Sequence, residues 1–553
     1  QSISDILFES SSGWLICTNN NGLFFIDTKQ HVQHYEEDIF QKSALLFNEL
    51  NEIFRDASGT IWIGSQRGLS SFNPAQRGIM GIGPSGNADR GIPTASVWSF
   101  AEDQEGKYVF IGTDRAVTRF TKATGKFRQY EREKKETTYG TGEMAVLALE
   151  VINPYKLLVG CADGFFELTI GAEDIDFRRI SIESESGRRH DRVYRIVHWK
   201  EHLYWLATKD GAILYDEFKG VQEIFEHNPS KADRTISKGI CRNVFKDLNG
   251  RIWFTTSTGG LNILSQQNDE RVIRPYEHNY IIKGVSTDYI TSMYQDKKGI
   301  YWLGSSGSGL MKWNERTKKV EVFNKQDGLP NNVVYGIAAG KEGSLWLSTN
   351  KGLCNIYPQT RNVKSYTEVD GLMSNEFNLG AYMESTSGTL YFGGIYGYNY
   401  FNPKDLVSSR QSIDVVFTRF KTESQWLTPE SEDSPLTKPI FETREIELNY
   451  KQRSFTIRFQ ASDLTNPERI NYKYELEGSD EGEIFIGTQN EIHFSALSHG
   501  TYTLKVYARY GDNAWGDPAV MRITIATPLW LAWWFWVVVV AIALLTVRVV
   551  IRV

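Results

Sequence analysis

Short apolar runs recur along most of the chain, each introduced by a turn signal. The clearest are Gly59-Thr60-Ile61-Trp62-Ile63-Gly64, Gly250-Arg251-Ile252-Trp253-Phe254-Thr255, Gly299-Ile300-Tyr301-Trp302-Leu303-Gly304 and Gly343-Ser344-Leu345-Trp346-Leu347-Ser348. Six or seven residues after each Trp stands a Gly-Leu pair: Gly68-Leu69, Gly260-Leu261, Gly309-Leu310 and Gly352-Leu353. Weaker copies put Ile16, Phe110, Leu158, Trp205 and Tyr391 at the Trp position, so nine such positions follow one another at intervals of 44 to 49 residues. Asp-x-x-Gly precedes several of them (Asp56 to Gly59, Asp103 to Gly106, Asp247 to Gly250, Asp296 to Gly299). In that turn Asp accepts hydrogen bonds from nearby backbone N–H groups and Gly takes a positive φ. The apolar run that follows predicts a buried strand, and Gly-Leu starts the next. Three or four strands per period predict a β-propeller blade, a unit that buries its faces only by stacking on neighbours. A calcium loop is the alternative for Asp-x-x-Gly, but its alternating Asp/Asn ligands are missing.

If the last seven positions (Phe110 to Tyr391) close one ring, Ile16 and Trp62 belong to a preceding, truncated ring. A Gly-rich stretch from Gly81 to Gly91 separates the groups, and Phe-Asn-Pro ends both (Phe72-Asn73-Pro74 and Phe401-Asn402-Pro403). A single nine-bladed ring is the alternative. After Pro403 the period stops, but strand-like runs continue from about Ser412 to Ala526, among them Ser454 to Phe459, Tyr472 to Leu476 and Thr501 to Ala508. These predict a small antiparallel sandwich. Leu529 to Val547 is different: 19 residues without a charge, enough to cover roughly 28 Å of hydrocarbon as a helix. Trp530, Trp533, Trp534 and Trp536 crowd its first turns, and Arg548 and Arg552 follow it. That asymmetry predicts a transmembrane helix whose C-terminal end is cytoplasmic; a buried core helix is the alternative.

The expected fold is therefore all-β, with seven-bladed β-propellers followed by an immunoglobulin-like β-sandwich and one transmembrane helix. The expected divisions are the last two blades of a first propeller (1–80), a linker (81–94) and a second propeller (95–410). The sandwich (411–527), the span (528–547) and the start of a cytoplasmic segment (548–553) follow. Gln1 to Glu9 lacks the basic start of a signal peptide, so the sequence is expected to be a fragment, cut at both ends.

At 553 residues the chain exceeds one ordinary domain. Its 61 Lys+Arg against 67 Asp+Glu, net −6, leave no basic footprint for nucleic acid, which is excluded as a partner of this segment. Cys17, Cys161, Cys241 and Cys354 lie far apart in apolar runs and read as small buried hydrophobes. The nine histidines (31, 34, 190, 198, 202, 227, 278, 493 and 499) show neither H-E-x-x-H nor a zinc spacing, and His31 and His34 read as solvated near a strand end. No G-x-S-x-G or Walker loop is present. No catalytic residue, metal ligand or cofactor is expected, although propeller enzymes assemble sites from residues distant in sequence.

Two regions are candidates for ligand binding. Loops between blades converge at one ring face, where Asn331, Asn332, Asn375, Glu376 and Asn378 could offer amides and a carboxylate to sugar hydroxyls, with Tyr396 or Tyr398 as a stacking surface. The competing reading is that these groups tie the turns of the last blades together. In the second region, Arg188, Arg189 and Arg192 with His190 and Asp191, preceded by Glu183 and Glu185, could grip a uronate or sulfate. The competing reading there is a mixed-charge surface loop without a ligand.

The tract Asp327-Gly328-Leu329-Pro330-Asn331-Asn332-Val333-Val334-Tyr335-Gly336-Ile337 resembles the final blades of hybrid two-component sensor histidine kinases of glycan-foraging gut bacteria. Gly343 to Leu353, Asp370-Gly371-Leu372 and Asn375-Glu376-Phe377-Asn378 share that resemblance. Tyr472, Tyr474, Leu476, Gly478, Gly500, Tyr502, Val506 and Ala508 resemble the pattern of their triple-tyrosine domain, with Phe485 near a position where that pattern usually carries Trp. Pro528-Leu529-Trp530 before the span fits too. The resemblance implies a periplasmic sensor region that binds an oligosaccharide from polysaccharide breakdown and forms a homodimer. It also implies inner-membrane anchoring through 528–547 and signalling to a cytoplasmic kinase that controls glycan-utilisation genes. The segment itself is then not an enzyme. A membrane-tethered lyase or glycosidase and a protein-binding scaffold are the alternatives.

Overall fold

The computed structural model describes the whole chain except residues 1, 10–12, 39–43, 57–58, 73–77, 133–143, 172–173, 185–186, 232–234, 268–269, 277–288, 407–412, 423–424, 463–466, 468–469, 481, 512–513, 532 and 553. Asn73, Pro74, Glu185, His278 and Ser412, singled out above, lie outside the described residues. The fold is all-β, built from small sheets that are antiparallel except where Glu445–Leu448 pairs in parallel with Ala519–Ile525.

Each repeat's Trp position falls in the second strand of a sheet, as with Trp253 in Ile252–Thr256 and Trp346 in Leu345–Thr349. The Asp-x-x-Gly turn precedes it and does two things. In the Asp247 turn, Oδ1 accepts from the N–H of Asn249 and Arg251, 2.9 Å each, while the Gly250 N–H donates to the Asp247 carbonyl and Gly250 sits at φ 79°. The other oxygen accepts the indole N–H of the Trp six residues on. Trp253 donates to Asp247 at 3.0 Å, Trp62 to Asp56 at 2.8 Å and Trp302 to Asp296 at 3.2 Å. Trp199 and Gly340 stand where Trp205 and Trp346 would need that Asp, and both indole N–H groups are buried without a protein acceptor.

Seven four-stranded sheets form a closed cycle. Their innermost strands are Val97–Glu102, Val146–Asn153, Val193–Lys200, Cys241–Lys246, Ile290–Gln295, Val334–Ala339 and Phe377–Glu384, and each lies against the next, the last against the first. Polar groups sew neighbouring inner strands together: Ser99 Oγ donates to the Val146 carbonyl at 2.8 Å and Asn378 Nδ2 to the Val97 carbonyl at 2.9 Å. The seventh sheet takes its outer strand, Met80–Ile82, from ahead of the first, with Ile82 paired to Tyr398. Gly81 and Ile82, read from composition as the start of a linker, thus belong to a strand. Ile82 packs beside Val97, Tyr391 and Tyr398, and this burial outweighs the local glycine content. With strands alternating in direction, the loops entering the inner strands share one end of the sheets. The Asp-x-x-Gly turns share the other.

Ahead of the ring, a four-stranded and a three-stranded sheet face each other over Leu15, Cys17, Leu23, Leu50, Ile53, Ile61 and Ile63. Their outward faces expose Phe8, Trp14, Phe54 and Leu69. After the ring, a four-stranded sheet and a five-stranded sheet enclose one core, in which Phe420, Phe455, Ile457 and Phe459 meet Tyr472, Leu504, Val506 and Ile523. Strand Phe455–Ala461 alternates strictly between buried and half-buried positions, as one-sided burial requires. The helix Trp533–Arg552 ends the chain, after a 3-10 turn at Leu529–Leu531. Among the described residues no helix is long and apolar enough to cross a membrane. This helix reaches 20 residues by including Val549, Val550 and Arg552, whose side chains lie outside the described ones, and its described apolar side chains, such as Trp533 and Leu544, are exposed.

Candidate ligand-binding face

The second residue of an inner strand, or the residues just before it, surround the axial opening at the end of the ring where the entry loops lie. Five such positions link into an arc across the third to seventh sheets. The Arg242 guanidinium lies over the Tyr194 ring, 4.2 Å from its centroid. Tyr289 is within the field of both. Tyr335 is within the field of Tyr289 and of the exposed Glu376 carboxylate. Burial pushes the Tyr289 and Tyr335 phenols up; Arg242 opposes this at Tyr289, and the Glu376 charge adds to it at Tyr335. Both stay neutral hydroxyl donors at ordinary pH. Arg242 Nε is buried without a protein acceptor. Beyond the arc, in the first sheet, Trp98 donates its indole N–H to Asp114 at 2.6 Å. Among the described residues the opening thus combines aromatic rings, the Arg242 guanidinium and the Glu376 and Asp114 carboxylates. Sugar faces stack on such rings, and the guanidinium suits an acidic substituent.

The opening has a floor. Arg195, in the third sheet, donates to the Gly380 carbonyl of the seventh at 3.4 Å and lies 5.7 Å from the Tyr382 ring centroid. Tyr382 in turn is hydrogen-bonded to Asn243 of the fourth sheet. The third and fourth sheets do not neighbour the seventh in the cycle, so these contacts cross the axis. Gly336 makes room for the brace: a methyl group there would come 2.6 Å from the Tyr382 ring. Glu150 lies close by. Burial pushes its carboxyl up to about 7, against the pull of Arg195.

Of the two regions singled out in the sequence, Asn331, Asn332, Asn375, Glu376 and Arg188 to Arg192 lie in entry loops, whereas Asn378 and Tyr398 lie in strands and Tyr396 in the turn before Tyr398–Phe401. Asn332 Oδ1 accepts from the Lys325 N–H at 2.9 Å, and its carbonyl accepts from Gly309 at 2.8 Å. Asn375 repeats this 43 residues later, with Glu368 at 2.9 Å and Gly352 at 2.5 Å. Asn331 accepts from the Val333 N–H at 2.8 Å. These amides hold turns, and Asn378 is buried in the seam between the last and first sheets. Tyr398 is buried and offers no stacking face, whereas Tyr396 is half-buried. Of this set only Glu376 joins the arc. In the other loop, Arg188 Nη1 stands 3.9 Å from Glu226, Arg192 Nε donates to the Ala162 carbonyl at 3.1 Å, Arg189 is exposed and Glu183 pairs with its backbone. His190 is buried between Thr208 and Glu226, and Asp191 accepts from Arg179 at 3.0 Å. The three arginines do not converge.

Tyr194, Arg242, Tyr289 and Tyr335 were not singled out in the sequence, though a signal was present. Tyr194, Arg242 and Tyr335 each stand eleven residues before a repeat's Trp, at 205, 253 and 346. Among the described residues no three His, Cys, Asp or Glu side chains gather as a metal site. The four cysteines are free and buried, and burial pushes the Cys17, Cys161 and Cys241 thiols up to about 12. His31 bonds Asp27 at 3.0 Å and is exposed, but His34 is half-buried and stacked on Phe24, with ring centroids 4.2 Å apart.

Residues 463–526 match the family described as the Y_Y_Y domain, and residues 284–307 and 328–351 match the two component regulator propeller. Histidine kinase P4 of Formosa agariphila is 26% identical over 367 residues, which make up 65% of this chain and 26% of the kinase. The matched part therefore spans about a quarter of that relative. The crystal structure of an extracellular domain, assigned to a hybrid two-component system of B. thetaiotaomicron, superposes with a TM-score of 0.74 at 25% identity. It covers 95% of this chain and 68% of that one. The resemblance read from the final blades and the tyrosine pattern holds over nearly the whole chain.

Proposed function

We propose that this chain is the ligand-sensing outer region of a transmembrane hybrid two-component sensor, with residues 1–527 periplasmic and the C-terminus cytoplasmic. In this reading the seven-sheet cycle is a seven-bladed propeller, and the two preceding sheets are the end of another. The two-sheet unit after the ring is an immunoglobulin-like sandwich, and residues 528–547 anchor the chain in the inner membrane as one of a dimer's two spans. The charge-free run Leu529 to Val547 supports the anchor, and the exposed Phe8, Trp14, Phe54 and Leu69 support the adjoining blades. The ligand is an oligosaccharide from polysaccharide breakdown. A cytoplasmic histidine kinase controlling glycan-utilisation genes reads the signal.

The observation that carries this reading is the floored opening with Tyr194, Arg242, Tyr289, Tyr335 and Glu376 on its rim. A ligand there touches five sheets at once. It favours whichever arrangement of the sheets brings the rim together, and only such unequal affinity can shift an equilibrium. Calorimetry of the chain in detergent against glycan digests tests the proposal. Saturable binding is expected, weakened at least tenfold by Tyr335→Ala with Arg242→Ala. Failure of every oligosaccharide to bind counts against a receptor. New product released from the digests would replace it with a membrane-tethered enzyme.

A further inference from the structure

A second concave site lies away from the axial opening. Between the fourth and fifth ring sheets is a cavity of about 420 Å³, within the size range of small-molecule sites. Two of its walls are the outer strands of the fourth sheet, Gly260–Gln267 and Glu270–Pro275, and the third is the turn after strand Leu310–Asn314 of the fifth.

Among the described residues the charges around this cavity do not balance. At its back, Arg251 Nε donates to Asp247 at 2.7 Å, and its two terminal nitrogens donate to the two Glu315 oxygens at 3.0 and 2.8 Å. The Tyr276 hydroxyl also donates to Glu315, at 3.0 Å. Burial pushes the Asp247 and Glu315 carboxyls up, but Trp253, Tyr301 and Arg251 at Asp247, and Arg251 and Tyr276 at Glu315, more than reverse it and hold both below the ordinary carboxylate range. Both carboxylates are therefore occupied by Arg251 and its neighbours. Three further cations line the same space. Among the described residues Arg274 spends only Nε, on Ser265 Oγ at 3.1 Å, Arg316 is exposed with no acceptor, and Lys318 is exposed within the field of Glu315 but bonded to no acceptor. Among the described residues four cations face two carboxylates, and the terminal nitrogens of Arg274 and Arg316 are left as forks that match an oxyanion. Ile263 supplies an apolar wall for whatever carries the anion.

We propose that this cavity binds a tetrahedral oxyanion, a sulfate or phosphate group on a small ligand, held by Arg274, Arg316 and Lys318. The site is independent of the axial opening: its rim residues Arg316 and Lys318 lie at the opposite end of the sheets from the entry loops. It adds recognition of a charged substituent at a place that no match to a known family assigns.

The test titrates the chain in detergent with sodium sulfate and, separately, sodium phosphate, at ionic strength held constant with sodium chloride, and reads thermal unfolding. The expected result is saturable stabilisation by at least one of the two anions and none by chloride, the more effective anion identifying the ester class. Arg274→Met should weaken that anion at least tenfold. Arg316→Met alters an exposed side chain, so it keeps the test informative if the first variant fails to fold, and should weaken the anion severalfold. Absence of saturation by both anions overturns the proposal, as does saturation undiminished in Arg316→Met.

Discussion

At the scale of single residues, the repeat is organised by a carboxylate with two tasks. Asp247 holds its own turn with one oxygen and receives the Trp253 indole, the Tyr301 hydroxyl and Arg251 with the other. Replacing it strands the Arg251 Nε and two buried donors, so Asp247→Ala should lower stability by about 3 kcal/mol, measured by urea unfolding. The pH dependence has a definite sign. A carboxyl held low in the folded chain stabilises it above the unfolded value of about 3.9, and that stability is lost as pH falls through the folded value. Wild type should therefore lose more stability than Asp247→Asn between pH 5 and pH 2; equal slopes would show that the carboxylate is not held low. The turn itself was legible, because Asp and Gly at that spacing have few other uses. The indole bond was not, since it appears only once the following strand folds back over the turn. The same limit applies at the axial opening: Asn331, Asn332 and Asn375 looked available as amides, but each is engaged by backbone N–H groups of its own loop. Tyr194, Arg242 and Tyr335 share a phase of the repeat, yet only closure of the cycle turns that phase into a common rim.

At the scale of elements, the step that completes the cycle is the three-residue strand Met80–Ile82. Its glycine neighbours hide it in the sequence, and only the apolar contacts of Ile79 and Ile82 with the seventh sheet reveal it. Ile82→Asp would put a charge at a half-buried position beside Tyr391 and Tyr398 and should destabilise the ring by about 1 to 3 kcal/mol. Hydrogen exchange should then quicken first in strands Tyr398–Phe401 and Val97–Glu102. Unchanged protection there would mean that the inner-strand bonds hold the cycle without this strand. The counterpart prediction concerns the brace across the axis. Gly336→Ala should displace Tyr382 and weaken any ligand seated above it, with little effect on the sandwich.

At the scale of the whole molecule, the sandwich and the terminal helix are joined with little slack. The last sandwich strand ends at Ile525, the Ala526 N–H donates to the Leu448 carbonyl at 2.8 Å, and the Trp530 ring meets Tyr450 edge-on with centroids 5.0 Å apart. Trp536 then donates to the Trp530 carbonyl at 2.9 Å. The chain should pellet with lipid vesicles, whereas a chain stopped after residue 527 should stay in the supernatant; equal partitioning would remove the helix as an anchor. The connection between ring and neighbours has a mechanical outcome as well. The segment entering the cycle, Met80–Ile82, and the one leaving it, Tyr398–Phe401, run side by side in antiparallel pairing. A pull between the upstream sheets and the sandwich therefore loads this short seam together with the Ser85–Asp38 and Arg90–Glu36 bonds that tie the upstream sheets to the segment after it.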